Sequence, residues 1–483
     1  MVFSSIPFLY YFLPIVLCIY FIVPSKLKNI VLLLSSLFFY YWGEKVYTIV
    51  MIAMALSGYV HGLFIDKYRG TKKSKIALIS SIIIGLSGLL VFKYADFAIT
   101  NVNSLFGANI GLLNLVLPIG ISFYTFQILS YTIDLYNGKA ELQKNPINFM
   151  TYVVLFPQLI AGPIVRYVDV QRELNSRKHS LEMISYGIWR FVIGLSKKVL
   201  IADRMSEFCN VFRNQSQAVA FNSSIEVSVL FVWLYAIAYG LFIFFDFSGY
   251  SDMAIGLGKI FGFNFLENFN YPYISKSITE FWRRWHISLG SWFRDYIYIP
   301  LGGNRVAKWK WFRNIFVVWA LTGFWHGAKW AFIAWGLMFG IILMIEKLFL
   351  GKWLEKLPSI FSRIYVIFFI LISWIIFDAG MGAGITGNLA IAFERIKMML
   401  GFGNIPLVTA DTLYYLRSYL VIFIIAIIAS TPLAKILINK IKEKNIGRKI
   451  INVLTPITCG VLLIVVTAFL VDGSFSPFIY FSF

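Results

Sequence analysis

The chain has 483 residues, of which 59% are hydrophobic and only 14% are charged. Its mean hydropathy of +0.76 excludes a soluble domain of this size and indicates a membrane protein with several spans. The net charge of +20 does not indicate nucleic-acid binding, because the basic residues lie in short loops between apolar runs. The anionic headgroups of membrane lipids are the partner that this charge favours.

The N-terminal apolar runs predict membrane helices and their orientation. Runs at about 7–24 and 46–65 are long enough to cross a bilayer. Lysines or arginines follow each run, at 26–28 and 66–75, so these loops are expected in the cytoplasm and the N-terminus outside. No basic residue precedes the first run and no small-residue cleavage site is present, so we interpret the run as a retained helix rather than a signal peptide.

The segment from about 110 to 175 does not predict regular spans. Pro118, Gly120, Pro157, Gly162 and Pro163 interrupt its apolar runs. Such breaks are tolerated in lipid only where protein or a water-filled cavity satisfies the backbone. Broken or re-entrant segments lining a central cavity are therefore expected. We find no inverted repeat of the kind that favours a secondary transporter.

Two aspartates and three cysteines are the next candidates for functional side chains. Asp246 and Asp252 end an apolar run, where they are expected to bind broken backbone near the cavity, with proton handling as the alternative. Cys18, Cys209 and Cys459 are odd in number and far apart. They predict packing rather than disulfides or a metal site.

Residues 278–297 change character. Aromatic or leucine positions recur at helical spacing, with cationic positions on another face: Phe281, Trp285, Leu289, Trp292 and Tyr296 against Arg283, His286 and Arg294. The pattern predicts a helix at the cytoplasmic interface, with its aromatic side among headgroups and acyl tails. A simple anchor would account for the tryptophans and arginines, but less well for His286.

His326 is the strongest candidate for a catalytic side chain. The glycine-rich turn at 299–305 and the basic residues after it predict a cytoplasmic loop, and a helix rising from Arg313 reaches His326 after about 20 Å. The flanking Gly323 and Gly327 are expected to leave room for a substrate. Histidine is well suited to take a proton from a hydroxyl near neutral pH. A structural histidine and a transporter's proton relay, with Asp246 and Asp252 as partners, are the alternatives.

Seven stretches, in this order along the chain, carry a resemblance to a known family: 117–127 (LPIGISFYTFQ), 156–163 (FPQLIAGP), 245–252 (FDFSGYSD), 281–289 (FWRRWHISL), 292–296 (WFRDY), 300–304 (PLGGN) and 324–327 (FWHG). They resemble the membrane-bound O-acyltransferases, specifically the bacterial alginate O-acetyltransferase branch, over nearly the whole length.

The resemblance implies an all-α polytopic fold, with about 11 transmembrane helices plus re-entrant and interfacial helices around a central cavity. It implies a single membrane domain over 1–483, made of N-terminal helices (1–110), a catalytic core (111–350) and C-terminal helices (351–483).

The resemblance also implies roles for residues. His326 is the histidine on which acyl transfer depends, and His286 is a second catalytic candidate. Together with the residue pattern it nominates donor-binding or substrate-binding side chains: Arg283, Arg284, Trp285, Arg294, Tyr296, Asn304, Arg305 and Trp325. No metal or bound cofactor is expected, and acetyl-CoA is the expected acyl donor.

The expected function is transfer of an acyl group, most simply acetyl, from a cytoplasmic donor across the membrane. The acceptor would be an extracellular or cell-wall polysaccharide, reached directly or through an extracytoplasmic acetyltransferase. The expected location is the bacterial cytoplasmic membrane, with both termini outside. D-alanyl transfer to teichoic acid and a transporter are the alternatives.

Overall fold

The structure, a computed structural model, describes residues 1–214, 217–221, 225–382, 388–402, 404–473 and 478. The C-terminal tail that the sequence predicts outside the membrane, 474–483, lies almost wholly beyond the described residues. The fold is helical, as predicted. A small antiparallel ribbon, β1 (Arg213–Asn214) and β2 (Gln217–Phe221), is added to it.

The chain forms two compact units that interleave along the sequence. Of the described residues, those within 1–195, 249–267 and 462–478 form the first unit, and those within 196–248 and 268–461 form the second. The division at 110 and 350 that the sequence suggests stays a prediction.

Among the described residues, ten α-helices begin in the first unit: α1 (Leu13–Ile22), α2 (Lys28–Glu44), α3 (Tyr47–Lys67), α4 (Lys72–Leu89), α5 (Ala95–Phe106), α6 (Ile121–Tyr136), α7 (Pro146–Val154), α8 (Phe156–Leu159), α9 (Tyr167–Asn175) and α10 (Leu181–Ser196). Turns of π-helix at Pro7–Phe12 and Leu90–Tyr94 extend α1 and α4. A 3₁₀ turn, Ser25–Leu27, precedes α2.

Later helices belong mainly to the second unit: α11 (Asp203–Phe212), α12 (Val229–Ile260), α13 (Ile278–Arg284), α14 (Ile287–Phe293), α15 (Lys308–His326), α16 (Trp330–Ile345), α17 (Gly351–Lys356), α18 (Ser359–Gly380), α19 (Leu389–Met399), α20 (Ala410–Ala429), α21 (Leu433–Lys442) and α22 (Asn445–Val471). Turns of π-helix occur at Lys197–Ala202, Arg294–Tyr298 and Glu346–Leu350, and a 3₁₀ turn at Pro272–Ile274. Both α12 and α22 contribute residues to each unit.

Within the described residues, seven helical stretches are long and apolar enough to cross a membrane: Tyr47–Lys67, Lys72–Phe106, Val229–Ile260, Trp330–Lys356, Ser359–Gly380, Ala410–Ala429 and Asn445–Val471. Pro7–Ile22 adds a shorter apolar helix. The protein is therefore a multi-pass membrane protein, and the estimate of about 11 crossings stays a prediction.

The interruption predicted between 110 and 175 is confirmed. The chain is irregular before Gly120, and α7 and α8 are only 9 and 4 residues long. Gly120 has a φ of +77°, and a Cβ there would lie 2.7 Å from the Leu159 carbonyl oxygen, so only glycine fits without strain. Whether this segment lines a cavity stays a prediction.

The two acids of α12 form buried ion pairs. Asp246 lies 2.7 Å from Lys198 Nζ in the second unit, and Asp252 lies 2.6 Å from Arg190 in the first. Helix α12 itself is unbroken, and the expectation that these carboxylates bind broken backbone stays a prediction. Their structural role, as partners for buried cations, is supported.

Candidate active site

The segment that carries His286 forms two short helices instead of one. Helices α13 and α14 are separated at Trp285 and His286, and His286 has a left-handed φ of 44°. The prediction of one helix over 278–297 is therefore wrong. Left-handed backbone is unfavourable for a residue with a Cβ, so surrounding contacts must stabilise this break.

The aromatic face of this segment packs against protein instead of lipid headgroups. Phe281, Trp285, Leu289 and Trp292 are each at most 5% exposed. The ring of Trp285 lies 5.0 Å from that of Trp374 on α18. The interfacial placement of these side chains is therefore corrected, because the second unit supplies the apolar partners that lipid was expected to supply.

A serine hydroxyl and a buried carboxylate fix the start of α13. Ser277 Oγ accepts a hydrogen bond from the Glu280 backbone N–H at 3.0 Å, the usual N-cap of a Ser-x-x-Glu sequence. Glu346, buried at the end of α16, accepts from the backbone N–H groups of Ile278 and Thr279 at 2.6 and 2.8 Å. These contacts also satisfy the helix dipole, and they hold the face of α13 that carries Arg283.

His286 is buried and held from two sides. Its Nδ1 lies 3.2 Å from Asn268 Oδ1, and its ring meets that of Phe247 edge to face at 4.6 Å. Asn268 Oδ1 also accepts from the backbone N–H and hydroxyl of Ser288, at 3.2 and 2.9 Å. Asn268 O accepts from the backbone N–H of Ile287 at 3.0 Å. One asparagine thus bonds three consecutive residues across the break.

His326 is the last residue of α15 and is 5% exposed. Three aromatic rings surround its imidazole in edge-to-face contacts, those of Trp325, Trp335 and Phe377, at centroid distances of 4.9, 5.2 and 5.4 Å. The chain turns extended at Gly327 before α16 begins. The imidazole therefore lies at a helix end, inside an aromatic wall.

The glycines beside His326 serve helix packing. A Cβ on Gly323 would lie 2.2 Å from the Phe332 carbonyl oxygen, and one on Gly327 would lie 2.3 Å from the Phe332 ring. Across the same contact, a Cβ on Gly336 would lie 2.2 Å from the Trp319 carbonyl oxygen. The expectation that these glycines leave room for a substrate is wrong, since α16 fills that space.

The two histidines lie close together. The Trp325 ring is 6.1 Å from that of His286 and 4.9 Å from that of His326. The charge on His326 acts electrostatically on His286. Residues 40 positions apart in the chain thus share one site, as the sequence analysis expects.

A cavity of about 450 Å³ lies beside this pair. His286 and Ser291 line it from α14, and one face of α15 contributes Ile315, Val318, Trp319 and Thr322. His326 follows Thr322 by four residues and so continues this face by one helical turn. The cavity therefore runs along α15 toward the catalytic candidate.

The wall of this cavity is cationic. Arg283, Arg294 and Lys347 line it, and its lining residues, all described by the structure, include no aspartate or glutamate. Arg294 also forms an ion pair with Asp295 at 2.7 Å. The arrangement favours an anionic ligand such as a phosphate.

The structure places the predicted donor-binding residues in different surroundings. Arg283 and Arg294 line the cavity. Arg284 instead pairs with Glu280 at 2.9 Å and donates to the Asn270 carbonyl oxygen.

The other candidates stand apart from the cavity wall. Trp285 packs in the core and Tyr296 lies 5.1 Å from the Trp292 ring. Asn304 and Arg305 are exposed on the turn before α15. The neighbouring Asn314 holds that turn by donating to the carbonyl oxygens of residues 301 and 303.

Several residues of the site escape the sequence analysis. Asn268 and Ser288 hold His286, and Tyr298, Thr322 and Lys347 line the cavity. Thr322 could have been found, because it lies one helical turn before His326. Ser288 also lies near a candidate in the chain, two positions after His286, whereas Asn268, Tyr298 and Lys347 reach the site through the tertiary fold.

These features describe a buried histidine pair beside a cavity lined by cationic side chains, and the comparison with known proteins assigns their class. Residues 36–382 match the membrane-bound O-acyltransferase family. The chain belongs to this family and is a membrane-bound acyltransferase.

The chain is similar to particular acyltransferases. It is 41% identical over 415 residues to the probable alginate O-acetylase AlgI of Pseudomonas aeruginosa, covering 84% of this chain and 76% of that protein. It is 34% identical over 443 residues to the peptidoglycan O-acetyltransferase of Helicobacter pylori, covering 84% and 81%. Identity to the teichoic acid D-alanyltransferase of Bacillus subtilis is 31% over 260 residues, covering 51% and 63%.

Proposed function

We propose that this acyltransferase moves an acetyl group from cytoplasmic acetyl-CoA to an acceptor on the outer side of the bacterial cytoplasmic membrane, for O-acetylation of an extracellular or cell-wall polysaccharide. The long matches to proteins described as alginate O-acetylase and peptidoglycan O-acetyltransferase support the acyl group and the acceptor class.

One observation carries the donor assignment, the cationic cavity wall. Arg283, Arg294 and Lys347 can pair with the phosphates of a coenzyme A. Basic residues at the start of α15 favour the cytoplasmic side for this end of the helix. The face of α15 that lines the cavity then leads the thioester from this side toward the histidines.

The reaction needs two proton transfers, one from the acceptor hydroxyl to a base and one from that base to the leaving thiolate. His326 takes the proton of the acceptor hydroxyl, and the hydroxyl oxygen attacks the thioester carbonyl carbon. The C–S bond then breaks, the coenzyme A thiolate takes the proton back, and an O-acetyl ester remains. His286 lies where it can hydrogen-bond the thioester or the acceptor.

The acceptor approaches from the outer side. His326 ends α15, about 27 Å by helix length from the predicted cytoplasmic end. The acceptor hydroxyl belongs either to the polysaccharide or to an extracytoplasmic acetyltransferase that completes the transfer. Both termini are outside in this arrangement.

D-alanyl transfer to teichoic acid is the second candidate. The match to a teichoic acid D-alanyltransferase favours it, but it covers only 51% of this chain. Its donor would be a D-alanyl thioester on a carrier protein. Membership of an acyltransferase family argues against the transporter.

The test is transfer of radiolabelled acetyl from acetyl-CoA by the purified protein in nanodiscs. An acetylatable polysaccharide and an extract of the extracytoplasmic proteins of the source cells supply the acceptor. We expect His326→Ala to lose transfer by at least about a thousandfold, as loss of a catalytic base commonly does. His61→Ala is the matched control, because His61 bonds Ser57 on its own helix α3 and Ser80 on α4 and is not placed in the site.

Two results would contradict the proposal. Normal transfer by His326→Ala would remove the histidine from the reaction. Transfer of D-alanine from a carrier, with none from acetyl-CoA, would replace the acetyl assignment by the second candidate.

A further inference from the structure

Asn268 bonds the ring of the second histidine, His286, and the backbone of the two residues that follow it. We infer that Asn268 is a positioning residue that holds His286 in the neutral tautomer with its proton on Nδ1, so that Nε2 carries the lone pair. The functional part of this inference rests on the proposed acetyl transfer, but the tautomer can be measured without any activity.

The neighbouring hydrogen bonds identify the asparagine oxygen. An amide oxygen and an amide nitrogen look alike by shape, so their assignment depends on their partners. The backbone N–H of Ser288 can only donate, and it lies 3.2 Å from the same Asn268 atom that meets His286 Nδ1. That atom must therefore be the oxygen, which accepts.

The tautomer follows from this oxygen. Because Asn268 Oδ1 accepts, His286 Nδ1 must carry a proton to bond with it at 3.2 Å. In a neutral imidazole the other nitrogen, Nε2, then carries the lone pair. His286 lines the cavity, so in this tautomer Nε2 is the ring nitrogen suited to act as a base or acceptor on the donor side.

The same asparagine stabilises the backbone break. Its carbonyl oxygen accepts from Ile287 N–H at 3.0 Å, and its side-chain oxygen accepts from both donors of Ser288. These bonds hold the left-handed φ of His286. Asn268 is fully buried, so water does not compete for them. Ring orientation and tautomer are thus set together.

The charges that act on His286 are defined. His326 is the titratable neighbour whose charge couples to it, and Arg283, Arg294 and Lys347 share the cavity wall. Burial, and after it the charge of His326, lower the pKa of His286. Asn268 contributes a neutral acceptor, which orders the ring without adding a negative charge that would favour the imidazolium.

Nitrogen NMR of the ring tests the tautomer directly. The chain has four histidines, so ¹⁵N-histidine protein in nanodiscs gives few ring signals, each assigned by a single substitution. At pH 8, above the ordinary range of histidine titration, we expect His286 to have a protonated Nδ1 and an unprotonated Nε2. Asn268→Ala should produce a mixture of both tautomers. A protonated Nε2 in the wild type would overturn the inference.

Activity then separates positioning from stability. We expect Asn268→Ala to lower kcat by about ten- to a hundredfold with little change in KM for acetyl-CoA, as loss of a histidine's orienting partner commonly does. Asn268→Asp keeps the acceptor but adds a negative charge, so the low-pH limb of kcat should move up by about one pH unit. Gln143→Ala, which removes a buried amide in the other compact unit, should leave the pH profile unmoved.

The outcomes distinguish this inference from the proposed function. If Asn268→Asp has the wild-type pH profile and Asn268→Ala keeps the wild-type tautomer, Asn268 does not position His286. If the wild type transfers no acetyl, the proposed function is contradicted, but the NMR result still decides the tautomer of His286.

Discussion

The contact between α15 and α16 predicts a sharp effect for one added methyl group. Gly323 meets the backbone of Phe332 across this contact, three residues before His326. In Gly323→Ala, the new Cβ would start 2.2 Å from the Phe332 carbonyl oxygen, about 1.2 Å short of the 3.4 Å at which ordinary contact begins. Backbone atoms cannot rotate away, so the two helices must move apart by a similar distance.

This displacement is large for catalysis and moderate for stability. A shift of about 1 Å in a catalytic group can cost on the order of a hundredfold in rate. Overpacking of this kind costs roughly 1–3 kcal/mol of stability. We therefore expect Gly323→Ala to remain folded in membranes, to melt several degrees lower in detergent, and to lose about ten- to a hundredfold of kcat.

Gly460→Ala is the matched control. A Cβ on Gly460, also inside a helix, would meet nothing within 4 Å, and alanine favours the helix by up to about 1 kcal/mol. Melting curves and acetyl transfer rates of both variants are measured in the same nanodiscs. Wild-type kcat in a well-folded Gly323→Ala protein would refute the argument that this contact positions His326.

Three further outcomes follow from buried charges and thiols. Asp378→Asn should destabilise the fold by roughly 3–5 kcal/mol, because it leaves Arg213 and Arg395 without their carboxylate. The effect is measured as a lower melting temperature, and an unchanged melting curve would argue against these two ion pairs. Cys209, a free and buried thiol, should resist maleimide in the folded protein and react on heating; rapid labelling at low temperature would show an opening there. Burial, with two neighbouring cations, holds the pKa of His179 below its ordinary value, so the unfolded chain takes up a proton near pH 6.5 that the folded chain does not. The free energy of unfolding should therefore fall as the pH drops from 7.5 to 5.5, and it should fall less steeply in His179→Asn. Parallel plots of stability against pH for the two proteins would contradict this expectation.

The sequence predicts features that depend on local pattern. The apolar run predicted at about 46–65 matches the span Tyr47–Lys67, and the prolines and glycines correctly predict the interrupted segment around Gly120. The pairing of His286 with His326 follows from the motifs of the family. These signals are contained in short stretches of sequence, so one chain is enough to find them.

Contacts across the fold account for the rest. The periodicity of 278–297 is helical, yet the bonds from Asn268 break the helix at His286, and no local pattern encodes a partner 18 positions earlier. Lys347 reaches the cavity from the end of α16 for the same reason. In the sequence, the glycines beside His326 suggest open space for a substrate, but in the fold α16 occupies that space.

The left-handed backbone of His286 limits which substitutions report on its side chain alone. An alanine there would keep a Cβ in an unfavourable conformation while losing the ring's bond to Asn268, so an inactive His286→Ala enzyme could have lost its loop geometry instead of its chemistry. Asparagine adopts this conformation more readily than other non-glycine residues and offers an amide that can donate to Asn268. Genetic screens that replace every residue by alanine will therefore overstate the chemical role of this position, and His286→Asn gives the fairer measure.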